Sequence, residues 1–501
     1  MQFFKEKQNG DAEIEDQQPP RQNGEYGDGT PIYDDDLHVQ CPPHTTERKL
    51  VNKIDFRVIP CLCIMYLLAF LDRVNIANAN VFRMSNPDQL NLTGVKYNNA
   101  LVIFFVPYVL FEIPSNILLK KLKPNWWLSG CMFMFGLTTI CQGLVSNYSG
   151  LLTTRFFLGL FETGMFPGCF YLIGMWYRRH EAQRRYTFFF SSTTLAGAFG
   201  GLLASAIGKM DGMRGYAGWR WIFILEGTLT CVVSFFFFFL LPVFPEDAKW
   251  LTPEEKQYVK ARLYADQGRS AAERAITASD VRNVFKDAKV FVGGFMYFGL
   301  IVTAYGYAYF SPGIIQGYGY SPIQTQLHSV PPWAAAFGFA MVVAYVSDKF
   351  RHRFAFVVLC LSVCIVGLGM LLGITKNTHT EYGALFLVAS GAYSAMPVVV
   401  CWFNMNLGGH HRRSIGSAWQ IGFGNIGGII AVYAFLKKDA PKYVPGYSIG
   451  IAFCCMSLLT SALYFAMCAY QNRKRQKTVS HLTDYEKTEL GDLSPDYRYL
   501  L

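Results

Sequence analysis

The 501 residues are 52% hydrophobic and only 16% charged, with 16% aromatic side chains and a mean hydropathy of +0.20. Ordinary soluble domains carry about 25% charged residues, so this composition excludes a typical soluble globule and points to an integral membrane protein. The net charge of +10 is no sign of nucleic-acid binding: the basic residues sit in short clusters between apolar runs, and no basic-plus-aromatic module lies outside them.

The chain begins with a polar stretch, residues 1–50, acidic in part (Asp34, Asp35, Asp36) and without the apolar core of a cleavable leader. The first apolar segment is therefore expected to serve as an uncleaved anchor. Of 13 cysteines, Cys41 lies in this tail and the others in apolar segments, a placement that implies neither a disulfide framework nor a metal site. A membrane span needs about 20 apolar residues. Such segments lie near 58–79, 99–119, 126–146, 151–176, 187–208, 221–242, 289–311, 329–347, 354–374, 382–403, 415–436 and 447–470. The expected fold is all-α: twelve transmembrane helices in two six-helix bundles, residues 51–242 and 289–470. A central loop, 243–288, divides them, and tails of 1–50 and 471–501 flank them.

Orientation follows from charge. Arg48, Lys49, Lys53 and Arg57, then Lys120, Lys121 and Lys123, then Arg178, Arg179, Arg184 and Arg185, then Arg412 and Arg413, then Arg473, Lys474, Arg475 and Lys477 crowd one side. By the positive-inside rule both termini and the central loop face the cytoplasm. The sequons Asn91-Leu92-Thr93 and Asn147-Tyr148-Ser149 then fall on outer loops. Asn147 lies too near the membrane, so Asn91 is the expected glycan carrier. The halves also repeat faintly: Trp176-Tyr177 precedes Arg184-Arg185, as Trp402-Phe403 precedes Arg412-Arg413. Two six-helix bundles around a midplane site is the two-lobed transporter plan.

Within the fourth segment, Arg155 and Glu162 interrupt an apolar run. An ionisable group at bilayer depth costs about 2.5–3.5 kcal/mol on insertion scales, so it usually faces a watery cavity or a partner. Their seven-residue spacing is about two helical turns, which puts both on one face about 10 Å apart. The first segment ends in Phe70-Leu71-Asp72-Arg73-Val74-Asn75, and Arg73 falls in the same outer layer as Arg155. Two arginines lining one cavity suit a carboxylate, which a guanidinium takes bidentately at any pH. Glu162, nearer the bilayer centre, suits a proton carrier, with Asp72 a second candidate. An ion pair between Glu162 and either arginine, or Asp72 and Arg73 capping a helix end, is the structural alternative.

Elsewhere Glu112 sits in the inner half of the second segment, suited to gating or to an inter-helix contact, and Glu226 near the outer end of the sixth reads as structural. Asp348, followed by the basic run to Arg353, suits an inner latch. Tyr297, Tyr305, Tyr307 and Tyr309 stripe the seventh segment, and Asn404, Asn406, Gln420 and Asn425 dot the tenth and eleventh. Aromatic faces beside amides suit a planar organic ligand. Asn75, Tyr305 and Asn425 join Arg73 and Arg155 as the expected substrate contacts. Glycines 197, 200 and 201 on the fifth segment and 422, 424, 427 and 428 on the eleventh allow close helix approach. No phosphate loop, nucleophile elbow or metal motif occurs, so an enzyme is not expected, nor any cofactor beyond protons as coupling ion.

Several motifs match a known family. Arg57-Val58-Ile59-Pro60, Phe70 to Ile76, Arg155-Phe156-Phe157-Leu158-Gly159-Leu160-Phe161-Glu162-Thr163-Gly164, Trp176-Tyr177-Arg178-Arg179 and Gly218-Trp219-Arg220-Trp221-Ile222-Phe223-Ile224-Leu225-Glu226-Gly227 resemble the anion:cation symporters of the major facilitator superfamily, in particular the fungal allantoate permease branch. Met210 to Trp219 is similar to high-affinity nicotinic acid transporter homologues. The usual Gly-xxx-Asp-Arg signature after the second helix is replaced by Asn116 to Lys123, a departure that branch shares. The resemblance implies that Arg73 and Arg155 serve an anion and Glu162 serves coupling. It implies a monomeric plasma-membrane permease that imports a small organic carboxylate such as nicotinate with protons. Allantoate, pantothenate, biotin or a dipeptide are alternative cargoes, and a non-transporting nutrient sensor is the alternative of another class.

Overall fold

The structure, a computed structural model, describes residues 22–25, 31–33, 41–267, 278–350, 352–373, 377–408, 410–477, 495 and 497–501. Most of both predicted tails, and residues 268–277 of the central loop, lie outside the described residues. Two short strands, β1 (Gln22–Glu25) and β2 (Pro31–Tyr33), pair antiparallel in the N-terminal tail, an addition to the all-helical expectation. Among the described residues, every regular element after them is helical.

The N-terminal half comprises α1 (Glu47–Val81), α2 (Lys96–Lys121), α3 (Pro124–Leu144), α4 (Tyr148–Glu162), α5 (Met165–Trp176), α6 (Arg179–Ile207) and α7 (Gly218–Leu240). The central loop contributes α8 (Pro253–Gln267) and α9 (Ala278–Phe285). The C-terminal half comprises α10 (Ala288–Gln316), α11 (Pro322–Phe350), α12 (Arg353–Gly373), α13 (Thr378–Met405), α14 (His410–Ala434) and α15 (Val444–Gln476). Eleven spans among the described residues are long and apolar enough to cross a membrane, with α4 and α5 together forming one of them. The 26-residue α2 packs beside α4 and α14 and completes six helices per half. The fourth span is not one continuous helix as expected: it breaks at Thr163-Gly164, directly after Glu162.

Helix starts follow local chemistry. Thr46, Asn147, Asp287 and Asn377 each accept a backbone N–H of the first turn of α1, α4, α10 and α13, as N-caps do. Because its side-chain oxygen is engaged with the Gly150 N–H at 2.7 Å, Asn147 is built into a cap, whereas Asn91 stands exposed in the loop between α1 and α2. Lipid-facing surface is apolar: Phe235, Phe236, Phe239 and Leu240 of α7 are all exposed.

The two halves meet along α6 against α11 and α2 against α14. Two glycines make that approach possible. A Cβ on Gly197 would lie 2.3 Å from the Trp333 ring, and one on Gly422 would lie 3.0 Å from a Glu112 oxygen. In the segment between the halves α8 is clasped to the N-terminal half. Thr252 and Glu255 form a reciprocal capping box at 3.0 and 3.2 Å, and Glu255 also binds Lys53 at 2.8 Å. Buried Arg262 bridges Glu47 and Glu181 at 3.4 and 2.5 Å.

Two outcomes follow. Burial pushes the Glu255 carboxyl up, but the Lys53 ammonium and the Thr252 N–H outweigh it and hold the group below its usual value. A lowered folded pKa means that this clasp contributes fully above about pH 4.3, the unfolded value, and is lost as pH falls through the folded one. Glu255→Gln is therefore expected to speed amide exchange over 253–262 at neutral pH, as acid does in the parent after correction for intrinsic rates; equal protection in variant and parent at pH 7 would contradict it. For topology, Asn91→Gln should abolish a glycosidase-sensitive mass shift that Asn147→Gln leaves intact; a shift that persists in Asn91→Gln would place the glycan elsewhere.

Candidate functional site

Neighbouring residues on a helix point about 100° apart, so Asp72 and Arg73 of α1 serve different surroundings. Arg73 turns toward the cleft between the halves. Its Nε donates to Glu162 Oε1 at 2.9 Å, its Nη2 donates to the same oxygen, and its Nη1 donates to the Tyr305 hydroxyl. Tyr305 passes the chain on, donating to Asn425 Oδ1 at 3.2 Å. The guanidinium carbon also lies 5.2 Å from the ring centroids of both Phe104 and Tyr108, within cation–π range. Arg73 and Glu162 are 3% and 1% exposed, so bulk water screens neither. Glu162 Oε2 has no hydrogen-bond partner. The carboxylate is thus held by one oxygen and leaves the other available to a proton.

Arg155 grips the same residue of α1 from a second side. Fully buried at 0% exposure, it donates Nη1 and Nη2 to the Arg73 carbonyl at 3.2 and 3.3 Å, and Nε to the Ala100 carbonyl at 3.3 Å. Arg155 and Glu162 share a face of α4, as their spacing predicted. Their targets differ: one takes the backbone of Arg73 and the other its side chain. The expected convergence of two guanidinium groups on one cavity is not what the structure holds. Arg155 positions α1, and of the two arginines Arg73 is the one that faces the cavity.

That cavity lies between the halves, walled by Arg73, Asn425 and the rings of Tyr66, Tyr108, Tyr297, Tyr305 and Tyr393. It leaves about 20 Å³ for the centres of water molecules, and a single water needs about 10–15 Å³. In this conformation the space admits about one water and no aromatic acid, so the site is shut. The side at the C-terminal end of α1 is sealed by hydrogen bonds between halves. Asn98 Nδ2 donates to the carbonyls of Val432 and Phe435 at 2.7 and 3.2 Å, and Gln316 Nε2 to that of Val81 at 3.3 Å. Tyr433 donates to Asn99 at 2.8 Å. On the opposite side Arg184 Nε donates to Asp348 Oδ2 at 3.2 Å.

The remaining sequence candidates divide. Tyr305 and Asn425 line the cavity, as does Tyr297. Asn75 does not: its amide donates to Glu226 Oε2 at 2.5 Å, inside the N-terminal half. Asp72 also faces inward there, within reach of the Thr139 and Thr230 side chains. Glu112 is buried against Gly422 with both oxygens unpaired. Asn404 bonds the Val400 carbonyl and Gln420 rather than the cavity. Tyr66, Tyr108 and Tyr393 were missed. Tyr66 precedes Arg73 by seven residues, the two-turn spacing that puts it on the same face, so its signal was present.

A model of the Major Facilitator Superfamily matches residues 62–432. The MFS transporter prlL of a fungal species is 35% identical over 409 residues, covering 80% of this chain and 82% of that protein. The high-affinity nicotinic acid transporter of Saccharomyces cerevisiae is 28% identical, covering 93% of this chain and 87% of its own length. Among solved structures, a bacterial homologue of the human lysosomal transporter Spinster, inward-facing and unoccupied, superposes with a TM-score of 0.60 at 15% identity, over 84% of this chain and 97% of that one. At that identity the likeness concerns the fold.

The buried pair makes a measurable claim. Removing one partner leaves an uncompensated charge, which costs about 3–5 kcal/mol, whereas removing both leaves none. Arg73→Gln should therefore lower thermal stability in detergent well below the parent, and Arg73→Gln with Glu162→Gln should recover part of the loss. Strictly additive losses in the double variant would show that the two side chains do not depend on each other.

Proposed function

The chain belongs to the Major Facilitator Superfamily, a membrane transporter and not an enzyme, and on that premise we propose that it imports a small organic monoanion together with protons, nicotinate foremost. One observation carries the reading. Among the described residues the one cation lining the central cavity, Arg73, is neutralised by Glu162 through one carboxylate oxygen while the other has no hydrogen-bond partner there. An incoming carboxylate is a rival for the same guanidinium. When it binds, Glu162 loses its cation in a dry site, where a lone carboxylate is strongly disfavoured, and it takes a proton instead. The buried charge is unchanged: one cation and one anion before, one cation and one anion after. Substrate and proton therefore enter together or not at all.

Tyrosine rings around Arg73 suit a flat aromatic acid, and the Tyr305–Asn425 hydrogen-bond chain offers polar contact from the opposite half. Similarity to the high-affinity nicotinic acid transporter of Saccharomyces cerevisiae supports nicotinate over allantoate, pantothenate, biotin or a dipeptide. One proton per monoanion is electroneutral. Asp72, buried next to Arg73 in the sequence and, among the described residues, without a cation of its own, is the candidate for a second proton, which would add dependence on voltage of about 2.3 kcal/mol per charge per 100 mV. Action at the plasma membrane, with cytoplasmic termini and one copy of the chain, completes the proposal.

Labelled nicotinate uptake into proteoliposomes tests it. Parent protein should accumulate nicotinate faster as external pH falls, with unlabelled competitors ranking the other acids. Glu162→Gln should lose proton-driven accumulation yet keep nicotinate exchange, because glutamine leaves Arg73 free for the substrate. Accumulation that still follows the pH gradient in Glu162→Gln would remove Glu162 from the coupling.

A further inference from the structure

Asn406 at the end of α13, read from the sequence as one of the amides suited to a ligand, is 1% exposed. Its partner is the chain itself. Asn406 Oδ1 accepts the Leu500 N–H at 2.7 Å and its Nδ2 donates to the Leu500 carbonyl at 3.0 Å. Asn472 on α15 does the same one residue earlier, binding the Tyr499 N–H and carbonyl at 2.8 and 2.9 Å. Two side-chain amides thus each read both backbone groups of one residue, the way a protein holds an extended peptide through its main chain.

Side chains add specificity. The Tyr499 ring is 4% exposed, with Lys289 Nζ 3.7 Å and the Arg475 guanidinium carbon 4.8 Å from its centroid. Trp402 Nε1 donates to the Leu500 carbonyl at 2.9 Å, and the Tyr497 hydroxyl to the Met405 carbonyl at 2.8 Å. Finally, the Leu501 carbonyl accepts the N–H of Arg353 at 2.7 Å, the first residue of α12. The five residues 497–501 therefore tie together the inner ends of α10, α12, α13 and α15.

The last contact reaches the boundary between the halves. Arg353, whose N–H is capped by Leu501, donates its Nη2 to Asp348 Oδ1 at 2.7 Å and its Nη1 to Ser347 at 2.5 Å. Asp348 Oδ2 is in turn the acceptor for Arg184 of the N-terminal half. Arg184 is largely exposed in that pair, and an exposed ion pair alone contributes about 0–1 kcal/mol. Its acceptor must be held in place for it to act as a latch.

We propose that residues 497–501 are an intramolecular peptide ligand of the inner face of the C-terminal half, and that their docking braces Arg353 and Asp348 and so keeps the inner latch to Arg184 closed. Release of the peptide loosens α12 at its first turn, frees Asp348 and favours opening toward the inner side. The docking is independent of what the cavity transports.

Hydrogen exchange on the purified full chain tests this without any substrate. Three proteins are compared with the parent: a chain ending at 496, Tyr499→Ala, and Asn406→Ala with Asn472→Ala. Each should raise exchange about tenfold over 349–356, where the Arg353 amide lies, and also over 178–188, which carries Arg184 across the boundary. Tyr499→Phe, which keeps the ring, should behave as the parent. Adding the pentapeptide Tyr-Arg-Tyr-Leu-Leu to the shortened chain should restore protection in both segments, and the reversed pentapeptide should not. Unchanged exchange over 349–356 in Tyr499→Ala would overturn the docking. A rise confined to 349–356, with 178–188 unmoved in all three proteins, would overturn the brace.

Discussion

A guanidinium buried between two helical bundles cannot be without a counter-charge for long. Arg73 is that group here, and the arrangement around it follows from keeping it neutralised. Glu162 supplies the charge, Tyr305 a hydrogen-bond acceptor from the other half, and the rings of Phe104 and Tyr108 their negative faces. A buried pair of this kind contributes little net stability, since desolvation offsets most of the attraction. Its consequence is conditional: either partner can leave only if something replaces it. In the proposed function that condition makes the ion pair an exchange site, because a carboxylate from outside and a proton on Glu162 together meet it.

The way α1 is held sharpens the point. Arg155 fixes the backbone at Arg73 and Glu162 fixes its side chain, and both project from one face of α4. Directly after Glu162 the helix breaks, and Thr163 donates its hydroxyl to the Tyr108 carbonyl of α2 at 2.6 Å. Losing Glu162 from Arg73 therefore releases one of two grips on α1, next to a place where the fourth span is already interrupted. The seals differ in kind as well. Contacts at the C-terminal end of α1 are hydrogen bonds from asparagine and glutamine to helix-end carbonyls, each of about 0.5–1.5 kcal/mol. The Arg184–Asp348 pair on the opposite side is exposed at its arginine and contributes about 0–1 kcal/mol on its own.

Sequence alone made the spans legible because apolar length and loop charge are one-dimensional signals. Arg73 and Glu162 were legible for a related reason: charge at bilayer depth needs a partner or a cavity. What helical spacing conveys is a face, not an atom. It put Arg155 and Glu162 on one side of α4 and could not say that one would find a carbonyl and the other a guanidinium. Asn75 is a case where spacing held more than was drawn from it. Two residues past Arg73 it points about 200° away, toward Glu226 and not the cleft. Tyr108 and Tyr393 needed the fold, since they reach the cavity from α2 and α13. The pairing of Asn406 and Asn472 around residues 499 and 500 needed it more, because 66 positions separate the two amides in the chain.

Asp72 and Arg73 show how one helix can address two compartments. Adjacent in sequence, they diverge by about 100°: Arg73 faces the cleft that opens and closes, Asp72 the interior of the N-terminal half beside Thr139 and Thr230. On that inner side the neighbouring polar groups are themselves tied to α1, since Asn75 binds Glu226 and Asn78 donates to Asn75 at 3.3 Å. A small rotation of α1 that eases Arg73 away from Glu162 must therefore also change what Asp72 and Asn75 meet on α3 and α7. Close packing makes such a rotation a choice between discrete arrangements rather than a continuous drift. The cavity side and the bundle interior then share the rigid body of α1, which couples them without any side chain needing to span the distance between them.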